Sequence, residues 1–119
     1  MKKIIPFISL LILFSVPVLG FDNIESKDAA FYEGKDVVAC GIVKQVSKFK
    51  SGYYLNLDNK YPQQSLTFVI WDNDLFDFNQ RHGDLSELNN KKVCGKGLVK
   101  SYKGRPQIVL YNSYSLKLD

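Results

Sequence analysis

From Lys35 onward, apolar and polar residues alternate with a period of two in several short runs, the pattern of half-buried strands. Lys35 to Phe49 is the longest. Val37, Ala39, Gly41 and Val43 share one face, and Val38, Cys40 and Ile42 share the other. Beyond Lys44 the chain turns polar and basic, and Lys48 to Gly52 reads as a loop. In Tyr53 to Asp58, Leu55 and Leu57 face a core while Tyr54, Asn56 and Asp58 face out. A turn on Pro62 leads to Ser65–Trp71, where Leu66, Phe68 and Ile70 point inward. Val93–Tyr102 and Pro106–Tyr111 form a hairpin across Lys103-Gly104, glycine supplying the positive φ of a tight turn. Ser115–Leu118 can add a last short strand.

Two stretches break the alternation. Phe21–Glu33 predicts a leading segment ending in a short helix, with Ser26 as N-cap and Phe31 or Tyr32 packed on the domain. Asp72–Asn90 is acidic and poor in β-formers. It reads as one or two helical turns broken at Gly83, with Leu75, Phe76 and Phe78 closing one end of the core and Leu85 and Leu88 as a second apolar pair. The resulting order is helix, three strands, helical insert, two strands. That is an all-β fold, a five-stranded OB-fold Greek-key barrel with a short N-terminal helix and a helical insert between strands 3 and 4. Other small β-barrels share the composition, and the insert is what favours this one.

The N-terminus changes the reading of charge. Lys2 and Lys3 precede an apolar run, Ile4–Phe14, and Val18-Leu19-Gly20 fits a cleavage site, so residues 1–20 read as a signal peptide. The run is shorter than a bilayer span, and Pro6 and Pro17 interrupt the apolar stretch. The remainder divides into 21–33, the N-terminal helical segment, and 34–119, the main domain. No membrane span is left after cleavage, and the expected location is periplasmic or secreted. Of 16 basic and 12 acidic residues, the signal peptide removes two basic ones, leaving a weakly positive domain. Cys40 and Cys94 both lie in the exported part, where an even count favours a disulfide. Metal ligation is the competing reading, but two distant cysteines and the single His82 do not make a tetrahedral site.

GKDVVACGIV from Gly34, YYLNLDNKYPQQSLTFVIW from Tyr53 and NKKVCGKGLVKSYKGRPQIVL from Asn90 resemble a group of small exported bacterial OB-fold domains. These are similar to nucleic-acid-binding OB folds of the anticodon-binding and helicase-associated type, found alone or appended to secreted nucleases. The resemblance spans about Gly34 to Tyr114. It implies that Cys40 and Cys94 sit on neighbouring strands one and four.

On such a fold, ligands meet the face of strands two and three and its flanking loops. The first loop carries Lys48, Phe49, Lys50 and Tyr53, and the second carries Lys100, Tyr102, Lys103 and Arg105. Tyr54, Asn56 and Trp71 lie between them. Cations interleaved with rings suit a single nucleic-acid strand, following its phosphates and stacking its bases. The expected partner is therefore single-stranded DNA or RNA, through Lys48, Lys50, Tyr54, Asn56, Lys100, Tyr102, Lys103 and Arg105. The alternatives are an envelope protein, a secreted nuclease or a small ligand. Edge lysines also block aggregation, and rings also fill cores. The acidic insert is expected to cap the opposite end. Catalysis is not expected. The sequence carries no G-x-S-x-G, H-E-x-x-H, Walker or paired-cysteine zinc pattern, and Asp72 with Asp74 reads better as a helix start than as a metal pair. No cofactor or metal is expected.

Overall fold

The computed structural model describes residues 21–119, and the expected signal peptide lies outside the described residues. Its elements are β1 (Asp22–Glu25), β2 (Asp36–Phe49), β3 (Gly52–Leu57), β4 (Leu66–Trp71), α1 (Asp72–His82), β5 (Lys92–Tyr102), β6 (Arg105–Val109) and β7 (Leu116–Leu118). Short 3-10 stretches occupy Ser26–Tyr32, Leu85–Leu88 and Ser113–Ser115. The strands run in the order β1-β2-β3-β4-β6-β5-β7, and a further β2–β5 pairing closes the sheet into a ring.

Strand β2 makes the closure possible by serving two partners. Its first half, Asp36–Ile42, pairs with β5, and its second half, through Phe49, pairs with β3. Between them the register slips at Lys44, a bulge that bends the strand and reverses its faces. Before it, Val37, Ala39 and Val43 enter the core; after it, Val46 packs on the core while Gln45 and Ser47 turn to the outer surface.

The ring is filled by aliphatic side chains with two rings among them. Leu55, Leu57, Leu66, Phe68, Ile70, Val93, Val99 and Ile108 are fully or almost fully buried, and Phe78 of α1 is fully buried with them. Phe68 needs the space that Gly95 leaves open: a Cβ there would stand 2.4 Å from the ring's Cζ. Cys40 and Cys94 are directly opposite each other on β2 and β5 and form a disulfide, so neither is free to bind a metal.

Seven strands replace the five expected. β7 falls within the stretch anticipated at Ser115–Leu118, but β1 was not foreseen, because its residues, DNIE, offer one apolar side chain. It is held by parallel pairing to β2 instead. The expected N-terminal helix is a seven-residue 3-10 stretch in which Ser26, far from capping it in solvent, is buried and donates to Asp58 Oδ2 at 2.6 Å. Ser65 Oγ donates to the same oxygen, which draws Asp58 inward from its expected outward position. Of the two rings expected to pack on the domain, Tyr32 does so and Phe31 is exposed. In the insert, α1 runs for 11 residues, longer than the one or two turns expected, and the break before the 3-10 stretch Leu85–Leu88 falls at Gly83 as expected, with φ 78°. Phe78 closes the core as expected and Leu75 packs partly against it, whereas Phe76 lies on the helix's outer side and is exposed.

Candidate functional site

The outer face of β3 and β4, overarched by the β5–β6 hairpin, encloses a cleft of about 400 Å³. That is within the range of small-ligand sites, roughly 300–1,000 Å³. Its walls are aromatic and cationic. Tyr54 comes from β3, Tyr61 from the loop ahead of β4, and Tyr102, Lys103 and Arg105 from the hairpin. Lys103 and Gly104 both have positive φ, 51° and 81°, the two-residue turn whose twist matches the flanking strands. The turn sets Tyr102 directly opposite Arg105, on one face of the hairpin. Both cations rest over rings. The Arg105 guanidinium lies 5.1 Å from the centroid of Tyr61, and Lys103 Nζ lies 5.4 Å from that of Tyr102.

The floor is a chain of hydrogen bonds whose direction is fixed. The backbone N–H of Tyr61 can only donate, and its acceptor is Gln45 Oε1 at 2.9 Å. The Gln45 amide is thereby oriented, and its oxygen also accepts from Asn56 Nδ2 at 2.8 Å. Asn56 must then offer Oδ1 to Thr67, whose hydroxyl donates to it at 2.7 Å. Thr67 Oγ1 in turn accepts from Gln64 Nε2 at 3.3 Å. Asn56 and Thr67 are almost fully buried, because these bonds satisfy them. Asn56 is therefore part of the floor and not an exposed contact as expected. At one end of the chain the Gln45 Nε2 hydrogens have no partner among the described residues; at the other, Gln64 Oε1 is a buried acceptor without one.

The cleft brings together Tyr54, Asn56, Tyr102, Lys103 and Arg105 of the expected residues. Three others lie elsewhere. Lys48 falls past the bulge, on the opposite face of β2 from Ser47, where its Nζ is 3.8 Å from Asp72 and sits over the Tyr53 ring. Lys50 is on the two-residue β2–β3 turn beside Trp71 and Asn73. Lys100 is exposed on β5, opposite Gln107 but outside the cleft. The expected basic loop after the first strand is thus a tight turn. The acidic helix starts against it, with Asp72 N bonded to Ser51 O, so the insert does not cap an opposite end. The missed residues are Gln45, Ser47, Tyr61, Gln64, Thr67 and Gln107. Only the place of Tyr61 directly before Pro62 sets one of them apart in sequence.

No protein-family model matches the chain, and no curated protein matches it in sequence. Solved structures do match in fold. A chain of the Schizosaccharomyces pombe (S. pombe) Stn1–Ten1 complex aligns over 71% of this chain at 15% identity with a TM-score of 0.53, and the match spans 57% of that chain. An OBody bound to hen egg-white lysozyme, AM1L10, aligns over 75% of this chain and 83% of its own at 18% identity, TM-score 0.52. A second, AM3L09, covers 74% and 84% at 14% identity, TM-score 0.52. The likeness is one of fold: a β ring of the OB type, with a single α-helix among the described residues.

Proposed function

We propose that the chain is a non-catalytic exported module that binds single-stranded nucleic acid across the outer face of β3 and β4. The observation that carries this reading is the cleft itself. Three tyrosines and two ring-seated cations surround a polar floor, a combination that stacks bases and contacts phosphate at the same place. The contacts come chiefly from Tyr54 and the Tyr102–Arg105 tip; Lys48, Lys50 and Lys100 act at longer range. Export is supported by the Cys40–Cys94 disulfide, since such bonds persist in oxidising compartments. No described helix is long and apolar enough to cross a membrane.

The test is titration of a fluorescent single-stranded oligonucleotide over a salt series. Affinity falls linearly with salt on logarithmic axes, and the Lys103→Glu/Arg105→Glu variant loses about tenfold or more at low salt with a shallower slope. A variant that binds like the parent overturns the reading. A second reading, an envelope-protein partner, draws on the OBody structures, which are bound to a protein. Exposed rings away from the cleft, Phe31 and Phe76, give it a surface. Co-purification of a protein from envelope extract, with no oligonucleotide affinity, favours it.

A further inference from the structure

We infer that the cleft selects keto bases, uracil, thymine and guanine, over the amino bases cytosine and adenine. This rests on the nucleic-acid reading above and adds to it which base enters. The inference starts from the Tyr61 N–H, which cannot be turned round. It locks Gln45 Oε1 in place, Asn56 Nδ2 reinforces the lock, and both acceptor positions of that oxygen are used. Gln45 therefore presents only its Nε2 hydrogens to an incoming group. Flipping this amide would set Nε2 against two donors, so the polarity is built in and does not adapt to the ligand.

Arg105 adds donors of the same sign. Its Nε is within 3.4 Å of Pro62 O and its Cζ lies 5.1 Å from the Tyr61 ring centroid, so the two outer guanidinium nitrogens are the donors it has left to offer in the cleft that it lines. A base edge that meets Gln45 and Arg105 must bring an acceptor. A keto oxygen does so; an exocyclic amino group sets donor against donor, a repulsive contact that discriminates as well as the attractive one.

The experiment isolates one base from the backbone. Abasic oligonucleotides carrying a single uracil, cytosine, hypoxanthine or adenine are titrated at low salt, with a fully abasic strand and oligo-dT for reference. Uracil binds about tenfold tighter than cytosine, and hypoxanthine about tenfold tighter than adenine. Gln45→Glu, which keeps the oxygen that accepts from Tyr61 N–H and Asn56 Nδ2 and puts an acceptor where the Nε2 donor was, brings each ratio to parity or reverses it. If the four bases bind alike, or no better than the abasic strand, the selectivity is overturned and oligo-dT binding still upholds the nucleic-acid reading. If oligo-dT does not bind either, both fall.

Discussion

Phe49 stacks on Tyr54, with ring centroids 4.2 Å apart and planes 12° from parallel, and Trp71 meets Phe49 edge-on at 5.8 Å. The stack holds the Tyr54 ring before any ligand arrives, so little side-chain freedom is lost on binding. Tyr54→Ala should weaken oligonucleotide binding by about 1–3 kcal/mol, the usual worth of a base-stacking ring. Phe49→Ala should cost less affinity and lower stability by about 0.5–1.5 kcal/mol through the lost ring pair. Fluorescence titration and thermal melting read the two effects separately. Undiminished binding by Tyr54→Ala would remove the ring from the site.

The disulfide joins residues 54 apart in sequence, so its loss frees a long loop in the unfolded chain. Replacing both Cys40 and Cys94 by Ala should lower stability by about 2–4 kcal/mol in urea unfolding, with the oxidised parent as reference. A double variant of parental stability would contradict the assignment of the bond as a major stabiliser.

Gly95 is tolerated as no other residue would be, because Phe68 fills the space beside it and is fully buried. Gly95→Ala should cost about 1–3 kcal/mol by overpacking. Adding Phe68→Leu in the same chain should recover part of that loss, since the two changes compensate in volume. If the double variant is less stable than the sum of the singles, the clash is not the cause.

Asp84 accepts from the backbone N–H of Ser86 and from its hydroxyl, both at 2.9 Å. These bonds, the backbone one first, hold its carboxyl below its ordinary value of 3.8. A folded pKa below the unfolded one means the charged cap stabilises the protein at pH above 3.8, and that the contribution fades as pH falls through the folded value. Asp84→Ala should therefore melt slightly lower than the parent near neutrality, and the difference should vanish in strong acid. A difference that persists there would assign the effect to something other than the carboxylate's charge.

What the sequence made legible follows from how strongly each pattern is coupled to burial. Leu55 and Leu57, then Leu66, Phe68 and Ile70, alternate with residues of the other face, and each lies in the core. The Lys103-Gly104 turn was legible because glycine and positive φ go together. The bulge at Lys44 was not, since a polar residue marks neither a slip nor its absence. That one slip turned Gln45 outward to the cleft and Lys48 away from it. Gln45 and Gln64 were illegible for a related reason: a glutamine reads as solvent-facing until its hydrogen-bond partners, 11 and 3 residues distant, are known. Ile24 alone could not announce β1, whose pairing is a matter of backbone bonds.

The pairing of β2 with β5 also governs how quickly the ring can form. Its centre, Cys40 opposite Cys94, joins segments more than fifty residues apart, and chains dominated by such distant contacts fold in milliseconds to seconds. With the cysteines bonded, the two segments never separate, and a refolding chain begins with its costliest encounter already made. The oxidised protein should therefore refold faster than the reduced one, so that the bond acts as a guide to assembly as well as a brace on the finished ring.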